Sequence, residues 1–519
     1  MAPTYPDWTR RHKICDVPPY VTDSDCRPIY KGETPRKFEF PTGLPMRTRV
    51  AAHKASDFYV GKYVQAVELM KKLPDEDPRN FTEQAKIHAA YCHSAYYMGK
   101  TDKAFKVHGG WFFLPWHRWY LYFYERILAK LLGDDTFALP FWNWDFEGGM
   151  TIPLMYMDHS FKNDISPLYD ENRNPEHANA FVDLGYGKIK KPISSLSREN
   201  LIWKNYMIMF MQVVVLGAST RTFHGEKITE TSSKCTCGAG TLEYMPHNTV
   251  HNWTGTVPTG KKDCDCPSKT CYGEDMGIFY SAARDPIFFA HHANVDRVWT
   301  LWKTQLDGKD YDDPDLLDTK FYFYDENAKF VEVRAGDAFD PEKLRYKYED
   351  SPSPWLIRPI PWLMKPIAAA AIERAAQCTL PTLDLQTNPT FSGPVKLTVP
   401  RDPPSSTIKE LLVIEGIRAQ RNIAVKFDVF VQLDDCLAAT PYVDTMPPEY
   451  AGTFVELPRG DNIDDPECGC GQSSVHTVIS EVLGNLGVGQ EEESIKVTLI
   501  PKVDLQQPIR ISAVRIEHE

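Results

Sequence analysis

The stretch DPIFFAHHANVDRVWTLWKTQ, residues 285–305, reads as one long helix with two adjacent histidines set among aromatic rings. Neighbouring positions on a helix point about 100° apart, so only one of His291 and His292 faces a given point. His292 shares its face with Phe288, Asp296 and Trp299. It is therefore the candidate for a site, and the Asp296 carboxylate one turn on is expected to orient its second ring nitrogen. His291 is expected beside the site and not in it. Upstream, PHNTVH (246–251) holds His247 and His251 four residues apart, a spacing that projects both imidazoles from one helix face toward one point.

A second set lies earlier. His88 sits in AKIHAAYC, His108 in VHGG, and His117 in LPWHRWYLYFYER at the head of an aromatic-dense helix. Most of those rings are core, but three histidines entering such a setting are costly unless each finds a partner. His12, His53, His93, His159, His177, His224, His476 and His518 have no such setting and read as ordinary surface or core residues. Two sets of three histidines, without a cysteine or acidic cluster at either, narrow the metal. Imidazole suits zinc, copper, iron and nickel. Two neutral three-histidine sites facing each other fit a copper pair cycling between Cu(I) and Cu(II), whereas a single zinc site leaves the second set without a purpose.

Around these histidines the chain reads as mainly helical. KASDFYVGKYVQAVELMKKL repeats apolar residues at three- and four-residue spacing, HRWYLYFYERILAKLL is stopped by Gly133, and another helix covers about Glu199 to Leu216. Residues 1–50 are Pro-rich and read as an irregular wrapped arm. After Leu306 the texture changes to short alternating runs around a D-E-N turn, a strand-rich end at 303–350. Pro-rich sequence opens a linker at 351–378. Seven short β-branched runs follow in 379–519, from VKLTV through HTVISEVL to IRISAVRIE, and indicate a β-sandwich. The expected architecture is thus a mainly α domain (1–350), a helical bundle around the histidines, followed by an all-β sandwich.

The 519 residues carry 58 Lys and Arg against 70 Asp and Glu, a net charge of −12. That balance argues against nucleic acid or an anionic membrane as the main partner, since both require a basic face. No apolar run reaches the roughly 18–20 residues needed to span a bilayer. The N-terminus shows neither a signal-peptide core nor a transit segment, which suits either a cytosolic chain or a mature form. Twelve cysteines, several in exposed CTC, CDC and CGC loops, favour the mature form in an oxidising compartment. A structural zinc site in those loops is the less favoured reading of them, because no histidine fits the CxC spacing.

The segments HGGWFFLPWHRWYLYFYERIL and YSAARDPIFFAHHANVDRVW resemble the two copper-binding motifs of plant polyphenol oxidases, the tyrosinases and catechol oxidases. The resemblance runs on through LPFWNWD, SPLYDENRN, GTLEYMPHNTVHNWTG, DPDLLDTKFYFYDENA and KFDVFV, covering nearly the whole chain. It implies two copper ions, the first held by His88, His108 and His117 and the second by His247, His251 and His292. Cys92 matches the family cysteine that forms a thioether with the second histidine, here His108. Glu243 matches the position that holds a water near the second copper, and with Asn248 it would make that water basic enough to deprotonate a phenol. Phe279 matches the bulky residue over the second copper, with plain core packing as the competing reading.

The family's two N-terminal disulfides use adjacent cysteines and a cysteine after the first ligand; here Asp25 and Ala89 replace two of these, leaving Cys15–Cys26 as the expected bond. Tyr346 and Tyr348 resemble the tyrosine pair that closes the catalytic domain. By resemblance the chain oxidises small phenols with dioxygen, o-diphenols to o-quinones with ortho-hydroxylation of monophenols, and is latent until its C-terminal domain is removed. A plastid lumen is the expected location, with a vacuolar or secretory route second. The rival readings are a dioxygen carrier built on the same site and a mononuclear zinc hydrolase.

Overall fold

The computed structural model describes residues 4–15, 17–158, 160–161, 164–187, 197–228, 236–256, 273–357, 378–402, 408–440, 446–459, 472–505 and 507–519. Six helices frame the histidines and their surroundings: α1 (Asp57–Lys71), α2 (Phe81–Cys92), α3 (Phe113–Leu132), α4 (Arg198–Met209), α5 (Asn248–Thr254) and α6 (Ile287–Gln305). Their ends are written in the sequence. The Ser56 hydroxyl accepts from the Tyr59 amide to open α1, and Asn80 accepts from the Thr82 amide at 2.8 Å to open α2. Gly133 closes α3 in the left-handed conformation, φ 66°, where a side chain would be strained.

The chain divides into two compact units. One comprises residues 1–182, 250–353 and 458–469; the other comprises 183–249, 354–457 and 470–519. The division falls within α5, after Thr249; the Glu243–His247 turn that precedes it is kinked at Met245, whose backbone is extended.

In the first unit, α3 and α6 form the centre. Every residue of α3 from Phe113 to Ala129 is buried, so this helix is wrapped on all sides and carries no solvent face. Such a helix must satisfy its few charges internally. Glu125 takes Arg47 at 3.0 Å and Arg49 at 2.8 Å, and Arg118 takes Asp296 of α6 at 2.5 Å, all of them buried. The arm expected to be irregular supplies edge strands instead. Pro6–Arg11 pairs antiparallel with Tyr96–Met98, and Arg47–Arg49 pairs parallel with Tyr346–Tyr348. The strand-rich end is a hairpin, Lys320–Tyr324 against Phe330–Arg334.

Among the described residues, the two main sheets of the second unit use eight strands: β1 (Thr236–Gly238), β2 (Val395–Pro400), β3 (Glu410–Ile417), β4 (Val425–Val431), β5 (Tyr450–Glu456), β6 (Gln472–Val478), β7 (Ser494–Pro501) and β8 (Ala513–His518). They form two four-stranded sheets, ordered β2-β7-β4-β5 and β8-β3-β6-β1. All pairings are antiparallel except β1 on β6. The all-β C-terminal domain is therefore present, with two departures from the strand-by-strand reading. The HTVISEVL run is a strand only to Val478, and Ser480–Asn485 forms a helix. The last strand of its sheet, β1, comes from the cysteine-rich region far upstream, a pairing that no local pattern signals. At the start of the linker, Trp355 is wholly buried; the Ala-rich IAAAAIERAAQ segment lies outside the described residues.

Candidate metal centre

Two groups of buried imidazoles stand on these helices. The first is His88 of α2, His108 of the loop preceding α3, and His117 of α3 itself. The second comprises His247, His251, His291 and His292, carried by the Glu243–Thr254 helical run and α6. Within each group the ligand nitrogens lie within 4.8 Å of one another. The parallel rings of His117 and His292, 4.3 Å apart, bring the first group against the second.

The donor chemistry suits metal. In His117, Nδ1–H donates to the Phe113 carbonyl at 2.7 Å; in His251 it donates to the Met276 carbonyl at 3.1 Å; in His247 it faces the Glu243 carbonyl at 3.2 Å and the Asn248 amide oxygen at 3.0 Å. Each of these bonds fixes the tautomer in which Nε2 carries the lone pair. Burial keeps the rings neutral, the state a metal requires: it pushes His117 and His251 down to about 3 and holds His88 well below the ordinary imidazole value. His251 Nε2 and His292 Nε2 sit 3.4 Å apart. Two imidazoles bound to one tetrahedral ion at about 2.0–2.1 Å would stand about 3.4 Å apart, so this pair already has the spacing of shared ligands.

His291, expected beside the site, lies close to the other three imidazoles of the second group, with its Nδ1 accepting from the Trp144 indole N–H at 3.1 Å. Other expectations need correction. Asp296 does not orient His292. Its carboxylate is engaged by Arg118 at 2.5 Å, Arg49 at 3.3 Å, Tyr346 at 2.8 Å and the Tyr348 hydroxyl. That set closes an ion network, and the two guanidiniums hold Asp296 below the usual carboxylate range although burial alone would raise it. The Cys15–Cys26 disulfide is not formed. Cys26 is a free thiol packed with Ala89, Ile278 and Tyr280, whereas Cys15 is disulfide-bonded to another cysteine. Ala89 is the reason: Cys26 faces the position from which the expected family cysteine is missing.

Of the remaining candidates, Glu243 and Asn248 stand at the second group, whereas Cys92 and Phe279 lie at the first, although Phe279 was expected over the second copper. Glu243 and Asn248 are both buried on the helical run that carries His247. The Asn248 side-chain amide donates to the Val455 carbonyl of β5 at 2.8 Å. Phe279 is buried with its ring 4.7 Å from that of His108, and the Arg459 guanidinium lies 5.0 Å above the Phe279 ring. Cys92 is buried on α2, one turn after His88, and takes part in no disulfide. Sequence reasoning missed Val455, Arg459 and Trp144. Each acts through a backbone carbonyl or a long-range contact, and neither leaves a mark in local spacing.

Comparison with known proteins gives these observations a family. Profiles described as the common central domain of tyrosinase, the polyphenol oxidase middle domain and the chloroplastic polyphenol oxidase C-terminal domain match residues 78–305, 310–361 and 381–518. The chain is 39% identical over 504 residues to polyphenol oxidase II, chloroplastic, of Ipomoea batatas, covering 94% of this chain and 80% of that one. It is 38% identical over 516 residues to aureusidin synthase of Antirrhinum majus, covering 97% and 86%. Among solved structures, latent apple tyrosinase matches with a TM-score of 0.79 at 37% identity, over 93% of this chain and 100% of that one. The histidine groups, the helical core and the β-rich C-terminal domain together make this chain an enzyme of the plant polyphenol oxidase family, the dicopper tyrosinases.

Proposed function

We propose that this protein oxidises small phenols with dioxygen at a pair of copper ions, and that the intact chain is a latent form. The carrying observation is the pair of buried, neutral imidazole groups in contact through His117 and His292. His88, His108 and His117 would hold one copper; His247, His251 and His292 would hold the other. Copper, when bound, supplies the electron-transfer chemistry between phenol and dioxygen. Two o-diphenols give up four electrons and four protons to one O2, leaving two o-quinones and two waters. The chain's own residues bind, orient and deprotonate: Glu243 and Asn248 would hold a water able to take the phenol proton, which extends the activity to ortho-hydroxylation of monophenols. A thioether from Cys92 would fix the His108 ring, and Phe279 beside that ring would govern entry.

Latency rests on contacts made by the C-terminal domain region. Val455 and Arg459 both fall within the stretch matched by that domain, and they reach Asn248 and Phe279 respectively. The domain would thereby occupy an amide that the base water needs and cover the aromatic entry residue. Its removal is proposed to occur at 357–378, downstream of the buried Trp355. Several relatives are named chloroplastic, and a plastid, specifically the thylakoid lumen, is the proposed location.

The test is copper content measured together with oxygen uptake on tyramine, tyrosine and catechol, before and after limited proteolysis. The expected result is two copper ions per chain and catechol oxidation that rises after cleavage. Reversible oxygen binding without turnover would replace the enzyme with an oxygen carrier, a reading the named relatives do not favour.

A further inference from the structure

Away from the imidazole groups, the first unit contains a cavity of about 710 Å³ that no step of the proposed reaction uses. That volume falls within the range of about 300–1,000 Å³ typical of small-molecule sites. Its walls are aromatic: Trp8, Tyr30, Tyr91, Tyr96, Tyr322 and Phe330 all face it. Trp8 lies 4.4 Å from Tyr30 and 5.4 Å from Phe330, and Tyr322 stacks on Phe330 at 5.7 Å.

The wall is set in advance of any ligand. The Tyr91 hydroxyl donates to the Tyr322 carbonyl, the Tyr322 hydroxyl to Glu332, and the Tyr30 hydroxyl to the Glu33 carbonyl. The fold itself orders these rings, as a preorganised site requires. Tyr96 differs: its half-buried phenol makes no hydrogen bond among the described residues and remains available to a guest.

Charge decides which aromatic guest fits. The same cavity is lined by Arg11, Arg27, Lys86 and the carboxylate of Asp23; Lys86 is paired with Glu83 at 2.7 Å, which leaves an excess of one positive charge in a chain whose net charge is −12. Arg27 is locked by Asp23 at 2.5 Å and by the carbonyls of His12 and Ala95, and so serves as a fixed positive field. Arg11 is the reachable donor: its side chain is 80% exposed, and its one ion pair among the described residues, to Asp23, is long at 3.6 Å. Ring faces alone would also attract a cation. The local excess of positive charge opposes one and favours an anion that presents a flat carboxylate to a guanidinium.

We infer that this cavity is a second binding site, selective for an aromatic carboxylate of the cinnamate type, with its ring laid against the aromatic wall and the carboxylate at Arg11. It shares no residue with either imidazole group, so the inference stands apart from the proposed reaction.

The experiment uses the full-length copper-loaded protein with the metal centre saturated by a chelating competitive inhibitor. Cinnamate, whose ring carries no hydroxyl to oxidise, is titrated by calorimetry, with cinnamyl alcohol and phenethylammonium as neutral and cationic comparisons. The expected result is one cinnamate bound per chain in the blocked enzyme, with both comparison compounds at least tenfold weaker. Arg11→Glu, on an exposed side chain that folding does not need, should weaken cinnamate at least tenfold, and Trp8→Leu should do likewise at an unchanged melting temperature. Loss of cinnamate binding on blocking the metal centre, equal binding of the alcohol, or an affinity untouched by Arg11→Glu would each overturn the site.

Discussion

The side-chain amide of Asn248 donates its hydrogen bond to the backbone carbonyl of Val455 at 2.8 Å, while its amide oxygen faces Nδ1 of His247 at 3.0 Å. Both ends of this one side chain are thus committed, one to the proposed metal ligand and the other to a strand of the C-terminal domain. An asparagine held this way positions the His247 ring, and the strand takes the donor that the proposed base water would use. In the proposed latent form, this contact would tie shielding to the proton-accepting half of the chemistry as well as to access.

Asn248→Gly removes the contact to His247, the one of the two that would persist once the C-terminal domain is cut away. In protease-activated enzyme, monophenol turnover should fall at least tenfold, in line with the roughly 10²–10⁴-fold contribution of a positioned base. Diphenol turnover should fall by less than about threefold, because the ortho hydroxyl hydrogen-bonds the neighbouring phenolate and makes a diphenol's proton easier to lose than a lone phenol's. Steady-state rates on tyramine and 4-methylcatechol decide it. Equal losses on both substrates would remove Asn248 from the proton-transfer step.

His291 and His292 are separated by their partners. The Trp144 indole engages Nδ1 of His291, while His292 Nε2 stands 3.4 Å from His251 Nε2. His292→Ala should lower copper from two ions per chain to one, whereas His291→Ala should keep both. Copper analysis of the two purified variants settles the assignment, and loss of an ion from both would make His291 a ligand.

Glu125 is wholly buried between Arg47 and Arg49. Burial by itself would raise its pKa, but Arg49 and Arg47 outweigh it and hold the carboxyl below the ordinary range. A depressed carboxylate contributes stability that is complete above its unfolded value, about 4.3, and is lost as pH falls through the lower folded value. The urea midpoint of the parent should therefore begin to drop below about pH 4.3. Glu125→Gln removes the carboxylate from Arg47 and leaves Arg49 with Asp296 alone, and should cost about 3–5 kcal/mol at pH 7. Its midpoint should also lose part of the acid-side decline; a variant with the parent's full pH dependence would assign that decline to other carboxylates.

The legible parts of this molecule are those whose signal is local. Apolar spacing and the Ser56, Asn80 and Gly133 caps mark α1, α2 and α3 in the sequence, and the four-residue step from His247 to His251 survives intact in the helical run. Helix-face logic put Asp296 near His292 correctly along the chain but gave it the wrong partner. Arg49 and Arg118 lie 247 and 178 residues away, and a carboxylate in a buried setting goes to the nearest guanidinium before a neutral ring. The same limit hid β1, whose partner strand β6 begins more than two hundred residues later.

Cys26 shows how a missing partner reads in three dimensions. Its thiol is buried against Ala89, and burial pushes its pKa up to about 12, so it stays protonated and unreactive. Replacing Ala89 by cysteine puts a second thiol into the same apolar cluster, directly after His88. A bond between the two would close a loop of about sixty residues and restrict the unfolded chain, contributing about 2–4 kcal/mol if the geometry is relaxed. The Ala89→Cys variant should show one fewer titratable thiol than the parent under denaturing, non-reducing conditions, and a higher melting temperature that reductant abolishes. One additional thiol instead of one fewer would mean that Cys26 and position 89 pack side by side without the Cβ orientation a disulfide requires.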